Sequence, residues 1–155
     1  MEIRQITQDK QSYLDLLLLA DEQEDMIHRY LHRGHLFVLT QEDKTLAVAV
    51  VTDEEEGICE LKNLAVEPAV QGQGYGKQMV EFLASHYKAA FHTMLVGTGD
   101  SPATLSFYHK CGFSESHRIP NFFTNYYRHP IVEECVLLRD MVVLKRSLQR
   151  REGDS

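Results

Sequence analysis

Hydrophobic and polar positions along the chain alternate between a period of two and a period of 3.6, and the changes mark out successive strands and helices. Glu2 to Ile6 alternates around Ile3 and predicts a first strand. A helix is predicted from near Asp9 or Ser12, carrying Tyr13, Leu14, Leu16, Leu17, Leu18 and Leu19, a leucine run that implies burial on more than one side. Asp21-Glu22-Gln23-Glu24-Asp25 is an acidic helix-start signal. Met26, Ile27, Tyr30 and Leu31 then form one apolar stripe, and Gly34 is placed to cap that second helix. Leu36 to Thr40 and Thr45 to Thr52 read as strands joined by a polar turn. Asp53 to Gly57 is the next turn, and Ile58 to Val66 a fourth strand that Pro68 prevents from continuing.

Glycines follow at 72, 74 and 76, then a helix with Val80, Leu83, Ala84 and Tyr87 at i, i+3, i+4 and i+7. Thr93 to Val96 predicts a fifth strand, leaving through Gly97-Thr98-Gly99-Asp100. Ser101-Pro102 opens a further helix, serine as N-cap and proline at the first helical position, and Gly112 closes it. Phe113 begins a sixth strand and Val136 to Leu144 forms a seventh, with the aromatic-rich stretch Ile119 to Glu134 between them. This order predicts an α/β fold: a three-layer α/β/α sandwich around a mixed, mostly antiparallel sheet of about seven strands. One domain is expected over residues 1–148, with a polar tail at 149–155.

Composition narrows the partners. Sixteen basic against 23 acidic residues give a formal charge of −7, which disfavours nucleic acid and suits a cationic acceptor such as an amine. No apolar run reaches the length of a membrane span, and Met1-Glu2-Ile3-Arg4 lacks the features of a secretory signal. Cys59, Cys111 and Cys135 are odd in number and far apart, as expected of reduced thiols in a cytoplasmic protein. His28 and His32 share a helix face near His35, but no carboxylate or cysteine joins them at a ligand spacing, so no metal site is expected.

The stretch with most chemical content is Gln71-Gly72-Gln73-Gly74-Tyr75-Gly76-Lys77. A strand, a glycine-rich turn and a helix start together make an anion site, because free amides and the helix dipole both favour negative charge there. It is not a P-loop: Gly76-Lys77 is followed by Gln78, and Gln71 stands where the first glycine belongs. It is not a Rossmann fingerprint either, since the third glycine comes one residue early. The stretch resembles the Gln/Arg-x-x-Gly-x-Gly/Ala motif of the GNAT N-acetyltransferase superfamily. A second stretch, Ser101 to Phe113, is similar to that family's Asn-x-x-Ala-x-x-x-Tyr-x-Lys-x-Gly-Phe pattern. Tyr108, Lys110, Gly112 and Phe113 match it, while Ser101 and Thr104 depart from the usual asparagine and alanine.

The resemblance spans nearly the whole chain and implies a sheet splayed between its fourth and fifth strands, with acetyl-CoA as cosubstrate. It places Gln71, Gly72, Gln73, Gly74, Tyr75, Gly76 and Lys77 at the pyrophosphate. Leu64, Ala65 and Val66 fall along the pantetheine, with Ser101, Thr104 and Tyr108 beside it. Tyr108 is implied as general acid, since a phenol can donate to a departing thiolate of comparable basicity. Glu60, six residues before Val66, corresponds to the glutamate base of the family's histone-acetylating branch; a chain of water is the alternative, and Glu67 a weaker one. Phe122, Phe123, Tyr126 and Tyr127 are candidates to enclose an amine by cation–π contact, or else form a lid or an interface between two copies in a homodimer. His109 and Cys111, at i and i+2 on a helix, do not face each other, so direct attack by the amine is expected. A catalytically silent acyl-CoA-binding module of the same fold is the main rival, and a nucleotide-binding protein using the same turn the second.

Overall fold

The structure, a computed structural model, describes residues 1–149. The expected polar tail lies from residue 150 onward outside the described residues. Strands β1 (Glu2–Ile6), β2 (His35–Gln41), β3 (Lys44–Asp53), β4 (Ile58–Val66), β5 (Thr93–Gly99), β6 (Ser114–Ile119) and β9 (Met141–Ser147) form one seven-stranded sheet in the order β1-β2-β3-β4-β5-β9-β6. Only β4 and β5 are parallel, because helix α3 (Tyr75–Tyr87) crosses between them; every other pair is antiparallel. Helices α1 (Leu14–Leu17) and α2 (Glu24–Leu31) cover one face, and α3 and α4 (Pro102–Lys110) the other. The expected three-layer α/β/α sandwich is the observed one.

Two apolar clusters sit on the two faces. Met79, Val80 and Leu83 of α3 pack with Ala49, Val51 and Leu61, while Leu17, Ile27 and Leu31 pack with Val48 and Val50. Each such fully buried side chain contributes about 1.5–3 kcal/mol. β3 belongs to both clusters, which is why Ala47 to Val51 is an unbroken apolar run and not an alternation.

One irregularity sets up the site. Val50 faces Asn63 and Val51 faces Leu61, so Lys62 is an extra residue bulged out of β4. Before it, Cys59 and Leu61 pack on the α3 face; after it, Leu64 and Val66 do, and Asn63 and Ala65 turn to the α1–α2 face.

Several elements differ from the expectation. The leucine run makes a short 3-10 turn (Lys10–Tyr13) and a single turn of α1, with Leu17 buried and Leu19 51% exposed, because only one side meets the sheet. Gly34 is not a left-handed cap. A Cβ there would lie 2.6 Å from Val50 Cγ1 and 2.8 Å from the Tyr30 carbonyl oxygen, so the residue is small to let β2 begin. Lys10 Nζ caps the end of α2 instead, donating to the carbonyls of Leu31 (3.1 Å) and Gly34 (2.7 Å). The seventh strand of the sheet is Met141–Ser147 and not Val136 to Leu144. Residues 132–137 form a small hairpin, β7 (Val132–Glu133) and β8 (Val136–Leu137), after a short helix α5 (Phe122–Tyr126). Its turn residues Glu134 and Cys135 both take positive φ (50° and 64°), which neither residue type signals in the sequence.

Candidate active site

The parallel pair β4–β5 is joined only from Ile58–Thr93 to Leu61–Val96. Beyond that point Asn63 to Val66 pairs with β3 alone and Gly97 to Gly99 with β9 alone, so the strands part and leave open main-chain edges. Two cavities meet in this gap, one of about 290 Å3 and one of about 560 Å3, and both are bordered by Leu64, Val66, Gln71, Thr104 and Tyr108.

The larger cavity is formed chiefly by the glycine turn, the start of α3 and one side of α4. Gly72 and Gly74 take φ of 82° and 89°, and a Cβ on either would meet nothing within 4 Å, so the turn presents bare backbone to the outside. Gly76 is small for another reason: a Cβ there would sit 3.1 Å from the Phe107 ring of α4. Gln71 Nε2 donates to the Val66 carbonyl (3.0 Å) and ties the turn to the end of β4. The first amide to close a turn of α3 is that of Gln78, on Gly74 O at 3.0 Å, so the amides before it point out of the helix end. Lys77 and Lys110 border the same cavity, and together these groups make a cradle for a polyanion.

The smaller cavity opens between the α1–α2 connection and the segment after β6. Asp21, Glu22 and Glu133 line it together with Lys62, the one Lys or Arg there among the described residues. Asp21 Oδ1 accepts from the Tyr127 hydroxyl (2.7 Å) and Oδ2 from the Tyr30 hydroxyl (3.0 Å). Burial raises the Asp21 carboxyl above its ordinary value, against the lowering effect of those two hydrogen bonds. The aromatic segment is latched over the cavity by further bonds to the same connection. Gln23 Nε2 donates to Tyr126 O (3.0 Å), and Gln23 Oε1 accepts from the Arg128 amide (2.9 Å).

Tyr108 is 8% exposed, stacked edge-on between Phe107 and Phe113. Burial first, then the nearby Cys111 and Glu133, push its phenol well above the ordinary value, so it stays protonated at neutral pH. Glu133 is fixed by a hydrogen bond from Ser101 Oγ to its Oε2 (3.0 Å).

Of the anticipated binding residues, the gap and turn bring together Leu64, Val66, Gln71, Gly72, Gly74, Tyr75, Gly76, Lys77, Thr104 and Tyr108. Ala65 borders the smaller cavity, its side chain buried against the α1–α2 cluster, and the exposed Gln73 borders neither cavity. Ser101 is fully buried and does not cap α4 with its hydroxyl, which is spent on Glu133; Glu134 Oε2 accepts the Ala103 amide (3.1 Å) in its place. Glu60 also stands apart. It lies on the still-paired part of β4, opposite Leu95, and is ion-paired to Lys62 Nζ at 2.8 Å, outside the lining of either cavity. Of the four aromatics, Phe123 and Tyr127, one helical turn apart, line the smaller cavity. Phe122 does not, and Tyr126 is 48% exposed with Arg29 over its ring at 5.2 Å.

Three further acidic or polar residues of the cavity, Asp21, Asn63 and Glu133, carried no local motif. Asn63 had a trace: Lys62-Asn63 places two polar residues side by side in an otherwise alternating strand, the mark of a bulge. Asp21 follows a leucine run directly, but the helix-start reading absorbed it.

Comparison with known proteins bears on this architecture directly. A family model described as the acetyltransferase (GNAT) domain matches residues 32–115, the segment from the end of α2 to the start of β6. The chain belongs to the GNAT acetyltransferase family. An uncharacterised N-acetyltransferase, YvbK, of Bacillus subtilis (strain 168) is 36% identical over 132 residues, 84% of this chain and 85% of that protein. A GNAT family acetyltransferase from Elizabethkingia anophelis, solved with acetyl-CoA bound, superposes with a TM-score of 0.90 at 30% identity, covering 94% of this chain and 97% of the other. A Bacillus subtilis acetyltransferase in complex with CoA superposes at 0.88 with 33% identity, covering 96% and 99%. In this GNAT domain the matched segment contains the splay, the glycine turn and Tyr108. Asp21, Phe123, Tyr127 and Glu133 lie outside it.

Proposed function

We propose that this GNAT domain transfers an acetyl group from acetyl-CoA to a cationic amine by direct attack. The single observation that carries the reading is the continuity of the two cavities through the β4–β5 gap, with Tyr108 at their junction. The residues present suit acetyl-CoA: an open glycine turn beside Lys77 and Lys110 for the phosphates, and a free strand edge for the pantetheine amides. Acetyl-CoA supplies the activated acyl carbon; the protein supplies position and proton management. The open edge of β4 around Leu64 and Val66 offers main-chain groups that pair with an extended ligand as an added strand, and an N–H there polarises a carbonyl placed against it. Tyr108 holds its proton and can give it to the sulfur that leaves. Glu133, close enough to Tyr108 to act on its titration, is our assignment for the carboxylate that receives the amine's proton, directly or through water. Glu60, neutralised by Lys62 and off the cavity, is not assigned that step.

The test is acetyl-CoA binding by isothermal titration, followed by thiol-release kinetics with a panel of amines. Tyr108→Phe is expected to lower turnover by about 100-fold or more while the acetyl-CoA Kd stays within about twofold. Unchanged turnover would remove Tyr108 from the reaction.

A further inference from the structure

Six acidic side chains are ion-paired to lysine or arginine among the described residues. Glu54 pairs with Arg33, Glu60 with Lys62, Glu81 with Arg146, Asp25 with Arg128, and Asp100 and Glu115 share Arg118. Asp21 is half-buried, and among the described residues no basic nitrogen lies within ion-pairing distance of it. Withdrawn carboxylates are costly without a cation or full hydrogen bonding, and two phenols do not supply a charge.

A second, independent observation stands next to it. Asn63 is 4% exposed and lines the same cavity, and its Oδ1 is the single buried side-chain polar atom among the described residues that has no hydrogen-bond partner. Its amide cannot simply be turned round. Nδ2 donates to the Leu17 carbonyl at 3.0 Å, which only a donor can satisfy, and to the Tyr30 hydroxyl at 3.0 Å. The Tyr30 hydroxyl in turn donates a hydrogen bond to Asp21, so one hydroxyl bridges the two residues and makes them neighbours. The result is a carboxylate and, one hydroxyl away, a buried unpartnered amide oxygen, both acceptors, on two residues that line one small cavity to which Tyr127 and Phe123 add aromatic faces. An ammonium group, with three donors and no acceptor, is the complement of that set.

The reacting amine cannot be this ammonium and still be a nucleophile, since it must be neutral at the thioester, close to Tyr108 and Glu133. We therefore propose that the acceptor carries a second positively charged group, held by Asp21 and Asn63 Oδ1, so that the substrate is a compact diamine-like cation. The proposal rests on the acetyltransferase reading above and specifies what that site selects. Asp21 is thus a specificity residue, distinct from Glu133 at the reacting end.

The experiment titrates 1,4-diaminobutane and n-butylamine separately into the full chain saturated with CoA. The wild type is expected to bind the diamine at least about tenfold more tightly, the ratio that one hydrogen-bonded charge supplies. Asp21→Asn should erase that preference by weakening the diamine about 10- to 150-fold and the monoamine by less than about threefold. Asp21→Glu, which keeps the charge, should retain part of it. Equal affinity of the two amines for the wild type, an equal loss of both in Asp21→Asn, or no diamine binding up to about 10 mM would each overturn the proposal. Acetyl-CoA titrated into the same preparations reports separately. Its failure to bind would sink the acetyltransferase reading, and binding within about twofold of wild type shows that a variant is folded.

Discussion

The half of this cavity assigned above to the cofactor and the half assigned to the acceptor are built by opposite means. Along the glycine turn the larger cavity is bordered by backbone: Gly72 and residues 74 to 77, set by two left-handed glycines and a helix start, all within one contiguous stretch. Across the gap the cavity is made of side chains gathered from distant segments. Tyr127 reaches Asp21 over 106 residues, and Asn63 reaches Tyr30 over 33. Backbone recognition tolerates changes of side chain and changes of acceptor alike. A side-chain cavity can be rebuilt for a new acceptor without touching the turn that we assign to the cofactor.

The contrast can be broken first on the backbone side. Gly74→Val adds a branched side chain at φ 89° in open space, so the protein loses the turn's conformation without a core clash. Acetyl-CoA affinity is expected to fall by about 100-fold or more in titration, with the melting temperature changed little. Next comes the boundary between the halves. Glu133→Gln should lower kcat about 100-fold at neutral pH and leave the acetyl-CoA Kd within about twofold; unaltered kcat would move the proton to water or to another group.

A smaller and signed effect belongs to the acceptor side alone. The Asp21 carboxyl is raised above 3.8 in the fold, chiefly by burial, so the folded state holds its proton longer than the unfolded chain does. Its contribution to stability is therefore full below pH 3.8 and is lost as pH rises through the folded value. Denaturant melts of wild type and Asp21→Asn should show the variant gaining on wild type as pH rises from about 3 to 7. A gap that stays constant with pH would mean that Asp21 ionises as freely in the fold as outside it. The smallest effect is expected at Glu60→Gln, with turnover within about threefold, because this carboxylate is occupied by Lys62 away from the cavity. A drop of 100-fold would return the base to Glu60.

These two modes of construction also explain how much of the molecule was legible in its sequence. β4, the turn and α3 are local, and Ile58 to Val66 was read with its observed limits. The sandwich followed from the order of the elements. The acceptor side was not legible, because its members declare themselves only once the chain is folded. Glu133 is set by a two-residue hairpin whose turn, Glu134-Cys135, has no glycine or asparagine to announce it. The Ser101 hydroxyl was read as a cap from its place before Pro102, yet it bonds Glu133, 32 residues away. Leu16 to Leu19 looked buried all round because hydrophobicity shows what can be buried, and only the packed sheet decides how many sides are.

The bulge at Lys62 behaves as a one-residue frameshift in the middle of a strand. Upstream, odd-numbered side chains point at α3; downstream, even-numbered ones do. Had Lys62 taken a place in the ladder opposite Val50 instead of bulging out, every side chain beyond it would exchange sides. Asn63 would be carried away from Tyr30 and Leu17, and Leu64 and Val66 away from the cofactor cavity. The two cavities are thus kept in step by a counting rule, and a deletion in β4 beyond Lys62 should be far harder to accommodate than one of equal size in the acidic turn before the strand.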